Sequence, residues 1–225
     1  MAIDKRMVSP SDAVADVKDG AVVMVSGFGG AGFPNIMLDA LREQGLRDLT
    51  LVVNSATHVY SLTHTLIEAG QVAKVICTAA RGRGEGLSPF EKLWRDGRIE
   101  LECIPQGNFS ERIRAGGAGI PAFYTPVGHG TDLAVGKEVR EFGGRLCVLE
   151  TAITGDLALV RGDRADPFGN VTFLYAQMNF GPAMASACST TVAEVREALE
   201  EPMSHNEVQL PSVYVDRVVA VGGEP

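Results

Sequence analysis

Short apolar runs alternate with longer amphipathic segments along the first half of the chain. Residues 21–25 form a continuous apolar run rich in β-branched residues, and residues 49–53, 72–78 and 99–104 are the next predicted strands. Apolar runs of this length are typical of strands buried on both faces of a sheet. Strands that alternate with helices predict a largely parallel sheet, because each right-handed crossover must lie over the sheet.

The segments between these strands carry signals that start and stop helices. Ser88-Pro89-Phe90-Glu91 combines an N-cap, a proline at the first helical position and a reciprocal glutamate. Asn108 is similarly expected to cap a helix that Gly116-Gly117 ends. The predicted helices span residues 10–18, 34–44, 61–69, 89–96 and 108–115.

The second half of the chain is richer in strands. Gly143-Gly144 lies between two apolar segments and is typical of a two-residue hairpin turn. Residues 191–199 are compatible with a strand or a helix, and the polar residues 200–211 are interpreted as a surface connection. Further strands are predicted at residues 139–142, 146–150, 157–160, 171–175 and 213–221. The pattern predicts one α/β domain over residues 1–225, an open sheet with helices on both faces and extra strands in the C-terminal half.

Composition narrows the class of protein. An apolar fraction of 45% and a charged fraction of 21% are typical of a soluble globular enzyme. The net charge of -8 and the lack of a basic stripe argue against nucleic-acid binding. Asp4, Lys5 and Arg6 lie where a secretory signal needs apolar residues, and no stretch reaches transmembrane length, so we expect a cytoplasmic protein without a membrane partner. The four cysteines form no Cys-x-x-Cys pair, and we expect no metal site.

A glycine-rich loop follows the first predicted strand, in Ser26-Gly27-Phe28-Gly29-Gly30-Ala31-Gly32-Phe33-Pro34. In open α/β sheets ligands bind beyond the carboxyl ends of strands, where glycines let backbone N–H groups approach an anion. The spacing of Gly27, Gly29 and Gly32 fits a dinucleotide fingerprint, but Asn54 stands where an acidic ribose ligand is expected. A structural turn alone would need one or two glycines rather than four within six positions. An anion site is therefore the favoured interpretation.

Longer motifs carry a specific resemblance. Asp19-Gly20, the following apolar residues, Gly27-Phe28-Gly29 and Gly32-x-Pro34 are similar to the first signature of the family I CoA-transferases, with Ser26 where that family usually has a glycine. Ile104-Pro105-Gln106-Gly107, the run from Ser110 to Pro126, Gly128-x-Gly130-Thr131 and Asn179-Phe180-x-Pro182 continue the match in order. Over nearly its whole length the chain resembles the α-type subunit of a 3-oxoacid CoA-transferase.

The resemblance implies transfer of CoA between two carboxylic acids through a glutamate, which forms an acyl anhydride and then a glutamyl-CoA thioester. The family's Ser-Glu-Asn-Gly motif, which holds that glutamate, does not occur in this chain. A β-type partner subunit is therefore expected to supply it, in an α2β2 complex. Acyl-CoA and the carboxylic acid are substrates, and no cofactor is implied.

The resemblance also implies a set of site residues. Gln106 is expected to support catalysis, although a loop-stabilising amide explains it equally well. Arg81 and Arg83 could meet a phosphate of CoA, Glu85 is interpreted as a surface acid rather than a nucleophile, and His129 as structural. The implied substrate-binding residues are Gly27, Phe28, Gly29, Gly30, Gly32, Asn54, Gly107, Gly116, Gly117 and Gly119.

Two departures from the family pattern leave the acyl substrate open. Leu174-Tyr175 replaces a basic pair, and Asn54-Ser55 replaces paired asparagines. The leading hypothesis is transfer of CoA from succinyl-CoA or a similar donor to a 3-oxoacid such as acetoacetate or 3-oxoadipate. An acyl-CoA hydrolase or ring-opening enzyme of the same fold, and a module that binds anions or sugar phosphates, are the alternatives.

Overall fold

A computed structural model describes residues 3–222 of the chain, so residues 1, 2 and 223–225 of the predicted domain lie outside it. Strands and helices alternate through the first half, as predicted. The elements in order are α1 (Pro10–Val14), β1 (Val22–Val25), α2 (Asn35–Glu43), β2 (Leu49–Val52), α3 (Thr63–Glu68), β3 (Val72–Cys77), α4 (Pro89–Arg95), β4 (Glu100–Cys103) and α5 (Gln106–Gly117).

The second half contains most of the antiparallel structure. The elements are β5 (Ala122–Thr125), β6 (Val139–Phe142), β7 (Arg145–Thr151), β8 (Gly155–Ala165), β9 (Val171–Thr172), α6 (Gly181–Ala187), β10 (Cys188–Ala198) and β11 (Arg217–Ala220). The predicted hairpin is present between β6 and β7, and Gly143 and Gly144 both have the positive φ that its turn requires. Residues 191–199, ambiguous from sequence, belong mainly to strand β10.

The main sheet contains seven parallel strands in the order β11-β10-β8-β1-β2-β3-β4, with β9 antiparallel to β8. A separate antiparallel sheet has the order β5-β7-β6. Strand β1 is followed on one side by β2 and bordered on the other by β8, which comes much later in the chain. The strand order therefore reverses at β1, and the crevice beyond its carboxyl end is where such sheets bind ligands.

Successive residues of the central strands face two separate cores. Val23 and Leu51 pack in the core beneath helices α1 to α4, whereas Met24 and Val52 pack in the core beneath α5 and α6. This alternation follows from the two-residue period of a strand, and it explains why the strands are apolar on both faces. None of the helices within residues 3–222 is long and apolar enough to span a membrane.

Helix α5 differs from its prediction at both ends. It begins at Gln106 rather than Asn108, whose buried amide instead donates hydrogen bonds to the Val127 carbonyl and the Glu150 carboxylate, both at 3.3 Å. Gly116 and Gly117 lie inside the helix rather than ending it. The predicted capping role of Asn108 was wrong because its side chain has tertiary partners.

Three other elements are shorter than predicted. Helix α1 ends at Val14. Strand β9 stops at Thr172, and the chain then turns through a short 3₁₀ helix in which Tyr175 has a φ of 49°. Only Arg217–Ala220 of the predicted last strand is extended, because Asp216 precedes it and its carboxylate accepts a 2.7 Å hydrogen bond from the Thr191 backbone.

Candidate active site

Three loops meet at the carboxyl edge of the sheet, after β1, β2 and β3. Asn35 joins the first two loops, because its side-chain amide donates to the Tyr60 carbonyl and accepts from the Leu62 backbone, both at 2.9 Å. The Thr57 hydroxyl joins the second and third, donating to the Arg81 carbonyl at 3.0 Å. The parallel sheet thus brings together segments that are far apart in sequence.

The glycine loop after β1 is a tight turn held at its base. The backbones of Phe28 and Ala31 exchange two hydrogen bonds of 3.0 Å around Gly29 and Gly30, whose φ angles are 65° and 112°. The Ser26 hydroxyl donates to the Gly32 carbonyl at 2.7 Å and accepts from the backbone of Arg161 in β8 at 3.1 Å. Ser26, which departs from the family pattern, therefore supports the loop.

Asn179 clamps the glycine loop from the opposite end of the sequence. Its side-chain oxygen accepts hydrogen bonds from the backbones of Gly27 at 2.9 Å and Phe180 at 2.7 Å. Its side-chain nitrogen donates to the carbonyls of Ala31, Ala176 and Gln177. A Cβ on Gly32 would lie 2.6 Å from that nitrogen, so the clamp requires glycine there. Sequence reasoning found Asn179 only as part of a matched motif and did not assign it this role.

The glycine loop leaves backbone donors free on its outer side. Within the described part of the chain, the N–H groups of Gly29, Gly30 and Gly32 have no hydrogen-bond acceptor. Gly29 and Gly30 are exposed. Free backbone donors next to an open crevice are suited to bind oxygen anions.

A cleft with a volume of about 290 Å³ lies between the three loops. Phe28, Gly29 and Asn54 all line it, together with His58 and Arg83. The Asn54 side chain donates to the Thr78 hydroxyl at 3.1 Å, and its carbonyl accepts from the backbones of Thr78 and Ala79. These three predicted site residues are therefore brought together, and Asn54 also has a structural role in joining β2 to β3.

Gly30 and Gly32 line a second cavity on the other side of the glycine loop, with a volume of about 590 Å³. Arg161 and Glu194 form a 2.8 Å ion pair at its base, and the other Glu194 oxygen accepts from the Met37 backbone in the first turn of α2. Burial raises the pKa of Glu194, which Arg161 and the Met37 N–H oppose. The pair supports the loop and the helix that follows it.

Gln106 and Gly107 form the exposed first turn of α5, beyond the end of β4. Among the described residues, the Gln106 side chain has no hydrogen-bond partner. Phe109, one turn further along, packs edge-to-face on Phe180 at 5.3 Å, and Phe180 packs on Phe28 at 6.2 Å. This stack directs the first turn of α5 toward the same end of the sheet as the glycine loop.

Gly116, Gly117 and Gly119 are not brought to this site. Helix α5 runs back across the sheet, so its last turn lies at the amino edge, beside residues that precede β8 and β10. A Cβ on Gly116 would collide with the Ile153 carbonyl, and one on Gly117 with the Ser186 hydroxyl. Gly119 has a φ of 69°, which suits the turn after the helix. Packing and turn geometry account for these three glycines, and their predicted contact with substrate has no support in this placement.

The charges around the cleft are positive or neutral. Burial lowers the pKa of His58, and the Arg83 charge lowers it further, so His58 is neutral at pH 7. The residues that line the cleft include no aspartate or glutamate. Across residues 3–222, no group of three or more His, Cys, Asp or Glu side chains is arranged to hold a metal ion.

Comparison with known proteins identifies the family. The family model described as Coenzyme A transferase matches residues 7–221. The chain belongs to the coenzyme A transferase family. Its glycine loop, its Asn179 clamp and the cleft between its loops are therefore features of a coenzyme A transferase chain.

The most similar relatives are single subunits of two-chain enzymes, and they match the chain from end to end. It is 43% identical to one subunit of the 3-oxoadipate CoA-transferase of Pseudomonas putida, over 98% of this chain and 95% of the relative. It is 42% identical to the corresponding subunit of the succinyl-CoA:3-ketoacid coenzyme A transferase of Xanthomonas campestris pv. campestris, over 96% of this chain and 88% of the relative. Among solved structures, glutaconate coenzyme A-transferase from Acidaminococcus fermentans has the same fold, with a TM-score of 0.83 at 18% identity over 97% of this chain and 76% of that one.

Proposed function

We propose that this chain is the α-type subunit of a two-chain 3-oxoacid CoA-transferase, which moves CoA from succinyl-CoA or a similar donor to a 3-oxoacid. The observation that carries the proposal is a cleft with free backbone donors and no carboxylate in its lining. A glutamyl-CoA mechanism needs both an oxyanion site and an attacking carboxylate. This chain supplies the first, and its partner supplies the second.

The glycine loop stabilises negative oxygen in this mechanism. When a carboxylate attacks a thioester or an anhydride, charge develops on the carbonyl oxygen of each tetrahedral intermediate. The N–H groups of Gly29 and Gly30 are fixed by the turn between Phe28 and Ala31, so little reorganisation accompanies the reaction. Loss of one such preorganised donor typically raises a barrier by about 3 kcal/mol.

Exposed apolar side chains around the loop support the docking of a partner at this edge. Phe28 is 42% exposed, Tyr60 is 60% exposed and Tyr175 is 97% exposed. Ile36, Val59 and Met178 are also exposed nearby. Large apolar side chains gathered at one edge are typical of a protein interface. We place the β-type partner here, with its glutamate over the glycine loop, and assign the assembly as α2β2; the relatives, which are themselves named as subunits, support the two-chain arrangement.

Co-expression with the β-type chain that carries Ser-Glu-Asn-Gly tests the proposal. The purified complex is expected to exchange CoA between succinyl-CoA and a 3-oxoacid with ping-pong kinetics. Incubation with acyl-CoA should make the complex sensitive to borohydride, which reduces the glutamyl thioester. Robust exchange by this chain alone would refute the two-chain assignment. Hydrolysis of acyl-CoA without exchange, in a complex that resists borohydride, would favour the hydrolase, and tight sugar-phosphate binding without CoA affinity would favour a binding module.

A further inference from the structure

Arg83 is an unpaired cation at the end of the cleft. It lies in the loop between β3 and α4, and its side chain lines the same cleft as Phe28, Gly29 and Asn54. With the other described residues, its guanidinium forms no hydrogen bond and no ion pair. Arg81, two residues earlier, differs because it is paired with Glu91 at 2.7 Å.

The loop that carries Arg83 is anchored on the first turn of α4. The buried Glu91 carboxylate accepts hydrogen bonds from the backbone of Ser88 at 2.9 Å and from the backbone of Gly82 at 3.3 Å. It also accepts from the Arg81 side chain and the Ser88 hydroxyl. Gly82 directly precedes Arg83, so these bonds fix the backbone from which the free guanidinium extends.

The cleft therefore presents two anion-binding groups to one ligand. The free N–H of Gly29 lies on the glycine loop, and Arg83 extends from the loop after β3. His58 between them is neutral at pH 7, so Arg83 supplies the positive charge on that side of the cleft. A small acid with a carboxylate at each end matches this arrangement, whereas an acid with one carboxylate leaves the guanidinium unpaired.

We propose that Arg83 binds the distal carboxylate of a dicarboxylic acyl group and gives this enzyme its preference for dicarboxylic over monocarboxylic acids. This inference rests on the proposed CoA-transferase function. A CoA phosphate offers the same anionic chemistry to a guanidinium. The acyl group is favoured because Arg83 shares a cleft of about 290 Å³ with Phe28 and Gly29 of the glycine loop, where the reacting carbonyl binds. That volume suits an acid of about six carbons better than a nucleotide.

The experiment compares two acceptor acids that differ only in the distal carboxylate. The two-chain complex is assayed at saturating acyl-CoA with 3-oxoadipate and with 3-oxohexanoate, as wild type, as Arg83→Gln and as Arg83→Lys. Arg98→Gln is the matched control, because Arg98 is also an exposed, unpaired arginine within the described residues but follows α4 near the amino end of β4. Thermal unfolding of each variant checks that it is folded.

The wild-type complex is expected to prefer 3-oxoadipate in kcat/KM. Arg83→Gln should lower kcat/KM for 3-oxoadipate by about tenfold or more and leave 3-oxohexanoate within about twofold, because one charge-assisted hydrogen bond is lost. Arg83→Lys should retain part of the preference, and Arg98→Gln all of it. An equal loss with both acids, or a rise confined to KM for acyl-CoA, would overturn the proposal and assign Arg83 to a CoA phosphate. Because 3-oxohexanoate still reports exchange, failure of this proposal is distinguishable from failure of the transferase function.

Discussion

At the scale of single residues, Asn179 holds the catalytic loop in shape. One side chain makes five hydrogen bonds, which join the backbone of Gly27 and Ala31 to the segment before α6. Hydrogen bonds that fix donors before a reaction begins contribute to the rate more than to stability. The side chain is therefore a positioning group for the oxyanion site rather than a group that touches substrate.

Asn179→Ala is expected to lower kcat for CoA exchange by at least about tenfold, because the loop donors lose their fixed geometry. Loss of these partly buried hydrogen bonds should also lower the free energy of unfolding by about 1–3 kcal/mol. Exchange kinetics of the complex and denaturant unfolding of the chain measure the two effects. Asn206→Ala, at an exposed asparagine, is the control and should change neither. Wild-type kcat in Asn179→Ala would contradict the positioning role.

The sequence was sufficient to locate the glycine loop but not its clamp. Four glycines after a buried strand indicate a backbone that needs positive φ, and Gly27, Gly29, Gly30 and Gly32 all have it. The bond from Gly27 to Asn179 joins residues 152 positions apart. No local pattern encodes such a contact, so only the motif match around Asn179 pointed to that region.

At the scale of elements, helix α5 shows how a local signal is overridden. Asn108 and Glu111 have the spacing of a capping box, but Asn108 is buried against Glu150 and Glu111 pairs with Arg114 at 2.7 Å on the surface. The same signal at Ser88 and Glu91 is a true capping box, because Ser88 lies on the surface at a real helix start. The difference is burial by strands that come later in the chain, which the sequence of the helix alone does not contain.

Two glycines of α5 separate a site role from a packing role. Gly107→Ala adds a methyl group into open space in the first turn and should stabilise the chain by about 0.4–1 kcal/mol. Gly117→Ala forces a Cβ against Ser186 and should destabilise the chain by about 1–3 kcal/mol. If Gly107 contacts substrate as predicted, its variant also lowers kcat/KM of the assembled complex.

Chemical unfolding of the isolated chain and exchange kinetics of the complex measure these effects in parallel. Gly107→Ala with full activity would remove Gly107 from the substrate site. Gly117→Ala with unchanged stability would show that the close packing of α5 on α6 does not need a glycine.

At the scale of the whole molecule, alternation predicted the class of fold and part of its topology. Strands β1 to β4 are consecutive in sequence and adjacent in the sheet, as short right-handed crossovers favour. The insertion of β8 beside β1 was not predictable, because the pairing of Val23 with Leu157 spans 134 residues. That insertion creates the switch point at which the glycine loop opens, so the position of the loop is a property of the whole sheet.

The central claim is that the covalent intermediate forms on the partner while this chain stabilises it. The direct measurement is intact-mass analysis of both chains after the assembled complex is incubated with acyl-CoA. The account predicts that the partner gains the mass of CoA in thioester linkage, at the glutamate of its Ser-Glu-Asn-Gly segment, and that the mass of this chain is unchanged. A CoA adduct on this chain, or turnover with no adduct on either chain, would contradict it.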